Sequence, residues 1–237
     1  MILAMDSDTA GLRDRLAELE AEQATLEAEL AIFDADYTRE VLTVLAQLHD
    51  LQARVLGLVA GRSGEAGDAA AARAADARAQ QTSSAVRAVP PPPGPLPTRE
   101  LKRLFRDAAK RMHPDLAGRD DARGHAEAFM KRLNQAYRTA DTAAILDLVS
   151  QWEASPYALD GEAFQAARPA STTRLQAAVA RAERRLDELR ASELAELMER
   201  SMAATAAGAD FLAEARAAAE AALAAARARL AGLERRP

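Results

Sequence analysis

Apolar residues recur along the first quarter of the chain in steps that alternate between three and four residues. This spacing is the heptad seam of a coiled coil, in which one face of a long helix packs on a partner helix. An extra four-residue step at Phe33-Tyr37-Val41 is a stutter, where a supercoil relaxes locally. The pattern predicts an N-terminal coiled-coil helix over residues 6–61. Its seam consists of Leu12, Leu16, Leu19, Gln23, Leu26, Leu30, Phe33, Tyr37, Val41, Val44, Leu48, Leu51, Val55 and Leu58.

The composition agrees with an extended helical protein. Among 237 residues, 4% are aromatic and 28% are charged, and alanine stands at many positions where a globular core would need larger side chains. A mixture rich in Ala, Glu, Arg and Leu is typical of long helices and coiled coils. We therefore predict an all-α protein, with long helices towards both ends and a smaller helical module between them.

Charge and cysteine content exclude several classes of function. The formal net charge is -5 with both signs interspersed, which does not demand a nucleic-acid partner. The chain has no cysteine, so disulfides, thiol catalysis and thiolate metal sites are excluded. No apolar run approaches the length of a membrane span, and the first residues lack the basic region of a signal peptide. We expect a soluble, cytoplasmic protein, and the Ala/Arg bias indicates a bacterial source.

The segments outside the first helix differ sharply in composition. Residues 62–97 form an Ala/Pro-rich segment that ends in a proline run, and we predict a disordered linker there with a stiff polyproline spacer. Residues 153–171 are predicted to be a connector. Residues 172–235 are predicted to form one long, Ala-rich C-terminal helix. That helix could pack on the N-terminal helix or on its own copy in a homodimer, and the sequence leaves both open.

Residues 98–152 form the second ordered unit. Glu100–Met112 is predicted to be an amphipathic helix, because its apolar residues share one stripe. His113-Pro114-Asp115 follows, and the proline must end the helix at about His113. A polar loop and a second amphipathic helix come next. Two such helices should form a hairpin that holds His113-Pro114-Asp115 out at its tip.

At these residues the chain resembles the J domain of the DnaJ co-chaperone family. Residues 101–115 look like the second helix and signature loop of that family, and residues 133–137, Leu-Asn-Gln-Ala-Tyr, are similar to the end of its third helix. Beyond this hairpin, the family pattern is not followed. The proline run stands where the first helix is expected, and the usual fourth-helix pattern, the Gly/Phe-rich segment and the cysteine-based zinc region are missing.

The resemblance implies a partner and a site. J domains dock on a DnaK-type ATPase chaperone and stimulate its ATP hydrolysis. Carried over, Asp115 would engage an arginine of the chaperone, while His113 and Pro114 would shape and present that carboxylate. Basic residues of the preceding helix would match an acidic chaperone face and raise the association rate. They are Lys102, Arg103, Arg106, Lys110 and Arg111. No cofactor and no metal is implied.

The apolar segment Thr142–Trp152 is predicted to cover the hairpin face that the missing first helix would cover, with Leu146 and Trp152 buried. The coiled coils would then bind a partner in place of client-binding domains. A scaffold or tether with an inactive J-like hairpin is the alternative. A helix-turn-helix DNA reader is disfavoured by the overall acidity. An enzyme is not expected, because the sequence has no phosphate loop, paired carboxylates or activated nucleophile. His49 and His125 lack partners at metal-ligand spacing and are predicted to be ordinary surface residues.

Overall fold

A computed structural model describes residues 2–89, 95–117, 120–155, 157–158 and 168–235. The protein is all-α, as predicted, and these described residues contain no strand. The helices are α1 (Ile2–Tyr37), a π-helical turn (Thr38–Leu42), α2 (Thr43–Ser63), α3 (Ala66–Ala88), α4 (Arg99–Met112), a 3-10 turn (Pro114–Leu116), α5 (Asp120–Arg138), α6 (Thr142–Glu153), α7 (Arg168–Arg190), α8 (Glu193–Ala206) and α9 (Phe211–Glu234). None of the described helices is long and apolar enough to cross a membrane.

The chain divides into two compact units. Unit 1 consists of residues 1–31 and 93–195, and unit 2 consists of residues 32–92 and 196–237. Both units combine distant stretches of sequence, so each is built by contacts that no local pattern specifies.

Unit 1 has a core of large side chains contributed by α4, α5 and α6. Phe105, in the middle of α4, contacts Tyr137 in the last turn of α5, with ring centroids 4.5 Å apart. This contact joins the two helices of the hairpin. The residues that fill the core between these helices are Leu101, Phe105, Ala108, Ala109, Met112, Phe129, Met130, Leu133, Tyr137, Ile145, Leu148 and Trp152.

The covering role predicted for residues 142–152 belongs to α6. Ile145, Leu148 and Trp152 are buried in the hairpin core. The prediction for Leu146 is wrong, because its side chain is 50% exposed. In a helix, residues three and four apart share a face, so a core face built on 145, 148 and 152 leaves 146 on the opposite side.

Two faces of α1 are buried in unit 1. The face carrying Ala17, Ala21 and Ala24 packs into the hairpin core. The face carrying Leu16 and Leu19 packs on α7. The residues of α7 in this second cluster are Leu175, Ala178, Ala182 and Leu186. The first half of the predicted coiled-coil seam therefore has its partner helix within the same chain.

Unit 2 is built of α2 packed along α3 and α9. Its buried side chains are mostly small or aliphatic, and include Val41, Leu48, Ala53, Val55, Ala79, Thr82, Ala219, Leu223 and Leu230. The stutter predicted at residues 33–41 overlaps the π-helical turn Thr38–Leu42. One residue is accommodated there by widening the helix, so that the helix runs on from α1 to α2 without a break.

The predicted disordered linker over residues 62–97 is wrong for most of its length. Residues 66–88 form α3, whose Thr82 is buried and hydrogen-bonds to His49, with Nδ1 and Oγ1 2.9 Å apart. Alanine is the strongest helix former, and α2 supplies the partner surface that α3 needs. Gly64, with φ +67°, allows the chain to turn between α2 and α3. Residues 90–94 of the proline run lie outside the described residues.

The C-terminal segment 172–235 is not one helix but is divided among α7, α8 and α9. Ser192 Oγ accepts a hydrogen bond from Ala195 N at 3.3 Å, and Asp210 Oδ1 accepts one from Ala213 N at 3.0 Å. Both are N-cap bonds that favour a new helix start over continuation. Gly208 adopts φ +80° just before α9. The predicted connector 153–171 is shorter, because α6 ends at Glu153 and α7 begins at Arg168; its residues 156 and 159–167 lie outside the described residues.

Candidate functional site

His113-Pro114-Asp115 forms a tight turn at the end of α4. His113 has ψ 130°, the extended conformation that a following proline favours, so α4 ends at Met112. Leu116 N donates to His113 O and Ala117 N donates to Pro114 O, both at 3.0 Å, and these two bonds close the 3-10 turn. Asp115 N also donates to His113 Nδ1 at 3.2 Å. The histidine ring therefore acts as an N-cap that orders the backbone beneath Asp115.

The same hydrogen bond fixes the tautomer of the neutral His113 ring. A ring nitrogen that accepts from a backbone N–H carries no proton, so the neutral ring must hold its proton on Nε2. Nε2 faces Glu20 of α1, with 3.5 Å between Nε2 and Oε1. The ring is thus held from both sides, and its side chain is only 10% exposed.

The turn does not project into solvent as the sequence analysis expected. Asp115 Oδ2 lies 2.8 Å from Arg181 Nη2 of α7, and the Asp115 side chain is 19% exposed. Leu116 is buried in the cluster that joins α1 to α7. Arg174 of α7 donates from Nη1 to Ala117 O at 3.4 Å. The hairpin tip is therefore covered by α1 on one side and by α7 on the other.

The five basic residues of α4 that are predicted to face a chaperone fall into two groups. Lys110 is paired with Asp14 of α1, with 2.7 Å between Nζ and Oδ1, and Arg111 is paired with Glu153 at the end of α6. Across the residues that the structure describes, no ion pair involves the other three. These three, Lys102, Arg103 and Arg106, are partly or fully exposed and form what we call the open basic face.

The turn is held in place because the hairpin that carries it is fixed by buried side chains and by a hydrogen bond to α1. Phe105, Met112, Leu133 and Tyr137 are fully buried. Tyr137 also reaches α1, with 2.8 Å between its hydroxyl and Thr25 Oγ1. Thr25 Oγ1 itself donates to Ala21 O at 2.7 Å, so Tyr137 is the donor to Thr25. Burial raises the pKa of Tyr137, which keeps the hydroxyl protonated as that donation requires.

The histidines outside the turn are structural. His125 packs among Phe129, Trp152 and Tyr157, with ring centroids 4.8, 5.7 and 4.8 Å away, and His49 bonds to Thr82, so neither is the ordinary surface residue predicted. No cluster of side chains suited to a metal ion occurs in the described part of the chain. The space enclosed between α1, α4 and the turn measures about 10 Å³, enough for one water molecule at most. This space beside the turn is too small for an organic ligand.

Two features of the site escaped the sequence analysis. The alanines at 17, 21 and 24 recur at helical spacing beside the leucine seam, a signal that a second helix surface could pack on α1. Glu20 and Arg181 carry no such signal, since a glutamate and an arginine on amphipathic helices are ordinary solvent-facing residues. Their contacts with the turn depend on how α1 and α7 pack.

Comparison with known proteins yields no relative. No protein-family model matches the chain, no curated protein matches it, and no solved structure matches it.

Proposed function

We propose that the chain is a J-domain-like co-chaperone, which docks on a DnaK-type ATPase chaperone through the His113-Pro114-Asp115 turn and stimulates its ATP hydrolysis. The helices outside residues 98–152 would link that chaperone to a coiled-coil partner in the cytoplasm. The supporting observation is the pairing of a structured His-Pro-Asp turn with the open basic face, both on one helical hairpin.

The open basic face supports docking for an electrostatic reason. Exposed cations on a rigid helix attract an acidic protein surface, raise the association rate and fix the orientation of the encounter. Lys102, Arg103 and Arg106 are available for this role, whereas Lys110 and Arg111 are engaged with Asp14 and Glu153. We therefore assign long-range attraction to the first three, and helix packing to the last two.

The main objection to an active J-like module is that the first helix of the family is missing. In unit 1, α1 covers the hairpin in place of that helix. Ala17, Ala21 and Ala24 of α1 cover one side of the hairpin core, and α6 covers another. Small side chains let α1 approach closely, so a hairpin of the J type can be supported by a helix from far earlier in the sequence.

The alternative proposal is a scaffold in which the hairpin only joins helices. The contact between Asp115 and Arg181 favours it, because the carboxylate already has a partner within the chain. In that case His113, Pro114 and Asp115 would stabilise the packing of α1, α4 and α7 and nothing more.

ATP hydrolysis by a bacterial DnaK-type chaperone distinguishes the two proposals. The wild-type chain should accelerate steady-state hydrolysis, and Asp115→Asn should abolish the acceleration, because the amide keeps the shape and loses the charge. Asp107→Asn, at an exposed position of the preceding helix α4, is the matched control and should behave as wild type. Equal rates with wild type, Asp115→Asn and no added chain would leave the scaffold as the better account, provided circular dichroism shows both proteins folded.

A further inference from the structure

The Asp115 carboxylate is already bound by a guanidinium group. Arg181 Nη2 lies 2.8 Å from Asp115 Oδ2, and the Arg181 side chain is 56% exposed. A chaperone arginine and Arg181 would therefore compete for the same carboxylate. Since a carboxylate buried this far has little room for a second guanidinium, binding a partner requires Arg181 to leave.

Two further contacts hold α7 on the same turn. Leu116, the residue after Asp115, is buried against α7 in the cluster that contains Leu175, Ala178 and Ala182. Arg174, two turns before Arg181, donates to Ala117 O. The turn is therefore held by an ion pair, an apolar side chain and a backbone carbonyl, all engaged by one helix.

We propose that α7 is an autoinhibitory cover of the His113-Pro114-Asp115 turn, with Arg181 as its latch. This inference rests on the proposed function. In the closed form the turn cannot reach a chaperone, and the chaperone binds the fraction of molecules in which α7 has moved away. The apparent affinity is then the intrinsic affinity reduced by that fraction.

The latch is weak enough to be released by a binding partner. An exposed pair contributes about 1.4- to fivefold to such an equilibrium, and the partial burial of Asp115 places this pair at the upper end of that range. Arg181→Ala should thus raise the open fraction about fivefold. Arg185→Ala is the matched control, since Arg185 lies on the same helix, is exposed and makes no ion pair among the described residues.

Two readouts separate the cover from the docking proposal. The Leu116 and Ala117 amides are hydrogen-bonded within the turn and lie beneath α7, so they can open to water only after α7 has moved away. Their hydrogen exchange therefore reports opening of the cover with no chaperone present. We expect about fivefold faster exchange in Arg181→Ala and no change in Arg185→Ala. The concentration of chain needed for half-maximal ATPase stimulation should fall by the same factor, and the double variant Arg181→Ala/Asp115→Asn should not stimulate.

A reducible cross-link tests the cover in the opposite direction. The chain has no cysteine, so Ala117→Cys/Arg174→Cys carries the only thiols. A bifunctional thiosulfonate reagent that spans the two should lock α7 on the turn and abolish stimulation, and reduction should restore it.

Unchanged exchange in Arg181→Ala overturns the cover, as does full stimulation by the cross-linked chain. Faster exchange without better stimulation, when wild type does stimulate, also overturns autoinhibition. If no variant and no wild type stimulates while exchange still responds to Arg181→Ala, the docking proposal fails and the latch remains as a contact that holds the turn closed.

Discussion

Unit 1 and unit 2 are both helical, but they are held together in different ways. Unit 1 buries aromatic and long aliphatic side chains, including Phe105, Tyr137 and Trp152, in one compact core. Unit 2 joins helices largely through alanines and a few leucines and valines, such as Ala79, Val55 and Leu223. Large side chains interlock and fix one geometry of the packed helices. Small side chains allow close helix approach over a long contact, and this suits a framework.

The largest expected difference is in the response to losing one core side chain. Phe105→Ala removes a fully buried ring from unit 1 and should cost about 3–5 kcal/mol in the free energy of unfolding. Trp152 is the only tryptophan and lies in the same core, so urea unfolding followed by its fluorescence reports unit 1. Leu146→Ala, at the half-exposed position of α6, is the control and should change the midpoint little. Equal effects of the two substitutions would show that the described core is not the one that forms.

The corresponding change in unit 2 should be smaller. Leu223→Ala removes one buried side chain from α9 and should cost about 2 kcal/mol, at the low end for a buried leucine, because the surrounding alanines leave few interlocked contacts to lose. In urea unfolding, far-UV circular dichroism should show loss of helix at a lower urea concentration than in wild type. The midpoint of the Trp152 fluorescence transition should stay unchanged. A shift of the Trp152 midpoint as large as that caused by Phe105→Ala would remove the contrast between the units.

Helix caps offer a matched pair of still smaller changes. Thr98 Oγ1 accepts from Leu101 N at the start of α4 in unit 1, and Asp210 Oδ1 accepts from Ala213 N at the start of α9 in unit 2. Replacing either by Ala should cost about 1 kcal/mol. Thr98→Ala should lower the Trp152 fluorescence midpoint, and Asp210→Ala should lower only the helix signal. A lower Trp152 fluorescence midpoint in Asp210→Ala, with no change in Thr98→Ala, would contradict the division into units.

The smallest effect is a dependence on pH confined to unit 2. Burial, with a contribution from nearby Arg78, lowers the pKa of His49. The unfolded chain therefore binds a proton at His49 more readily than the folded chain does. The contribution of the neutral His49 ring to folding stability is complete above about pH 6.5 and is lost as pH falls through the folded pKa. Thermal unfolding followed by circular dichroism at pH 7.5 and 5.5 should show a weaker pH dependence in His49→Gln than in wild type. An unaltered pH dependence in His49→Gln would show that His49 is not the source of the pH dependence.

The hairpin was predictable because its signals are local. The apolar stripe of α4, the proline after His113 and the stripe of α6 each lie within a few turns of one helix, and each appears in the structure. The helix α3 was missed, since its alanines bury little area alone and depend on α2 for a partner surface. The cover was missed for a similar reason. Asp115 and Arg181 stand 66 residues apart, and only the packing of α7 on α1 brings them together.

The most direct test of the central claim, that the hairpin of unit 1 is a chaperone-docking module, is a hydrogen-exchange footprint. Exchange of the full chain would be measured with and without the ATPase domain of a bacterial DnaK-type chaperone, in Arg181→Ala to favour the open form. The account predicts slower exchange at residues 113–117 and along the open basic face of α4, with α2, α3 and α9 unchanged. Protection confined to unit 2, or none in either unit at saturating chaperone, would contradict it.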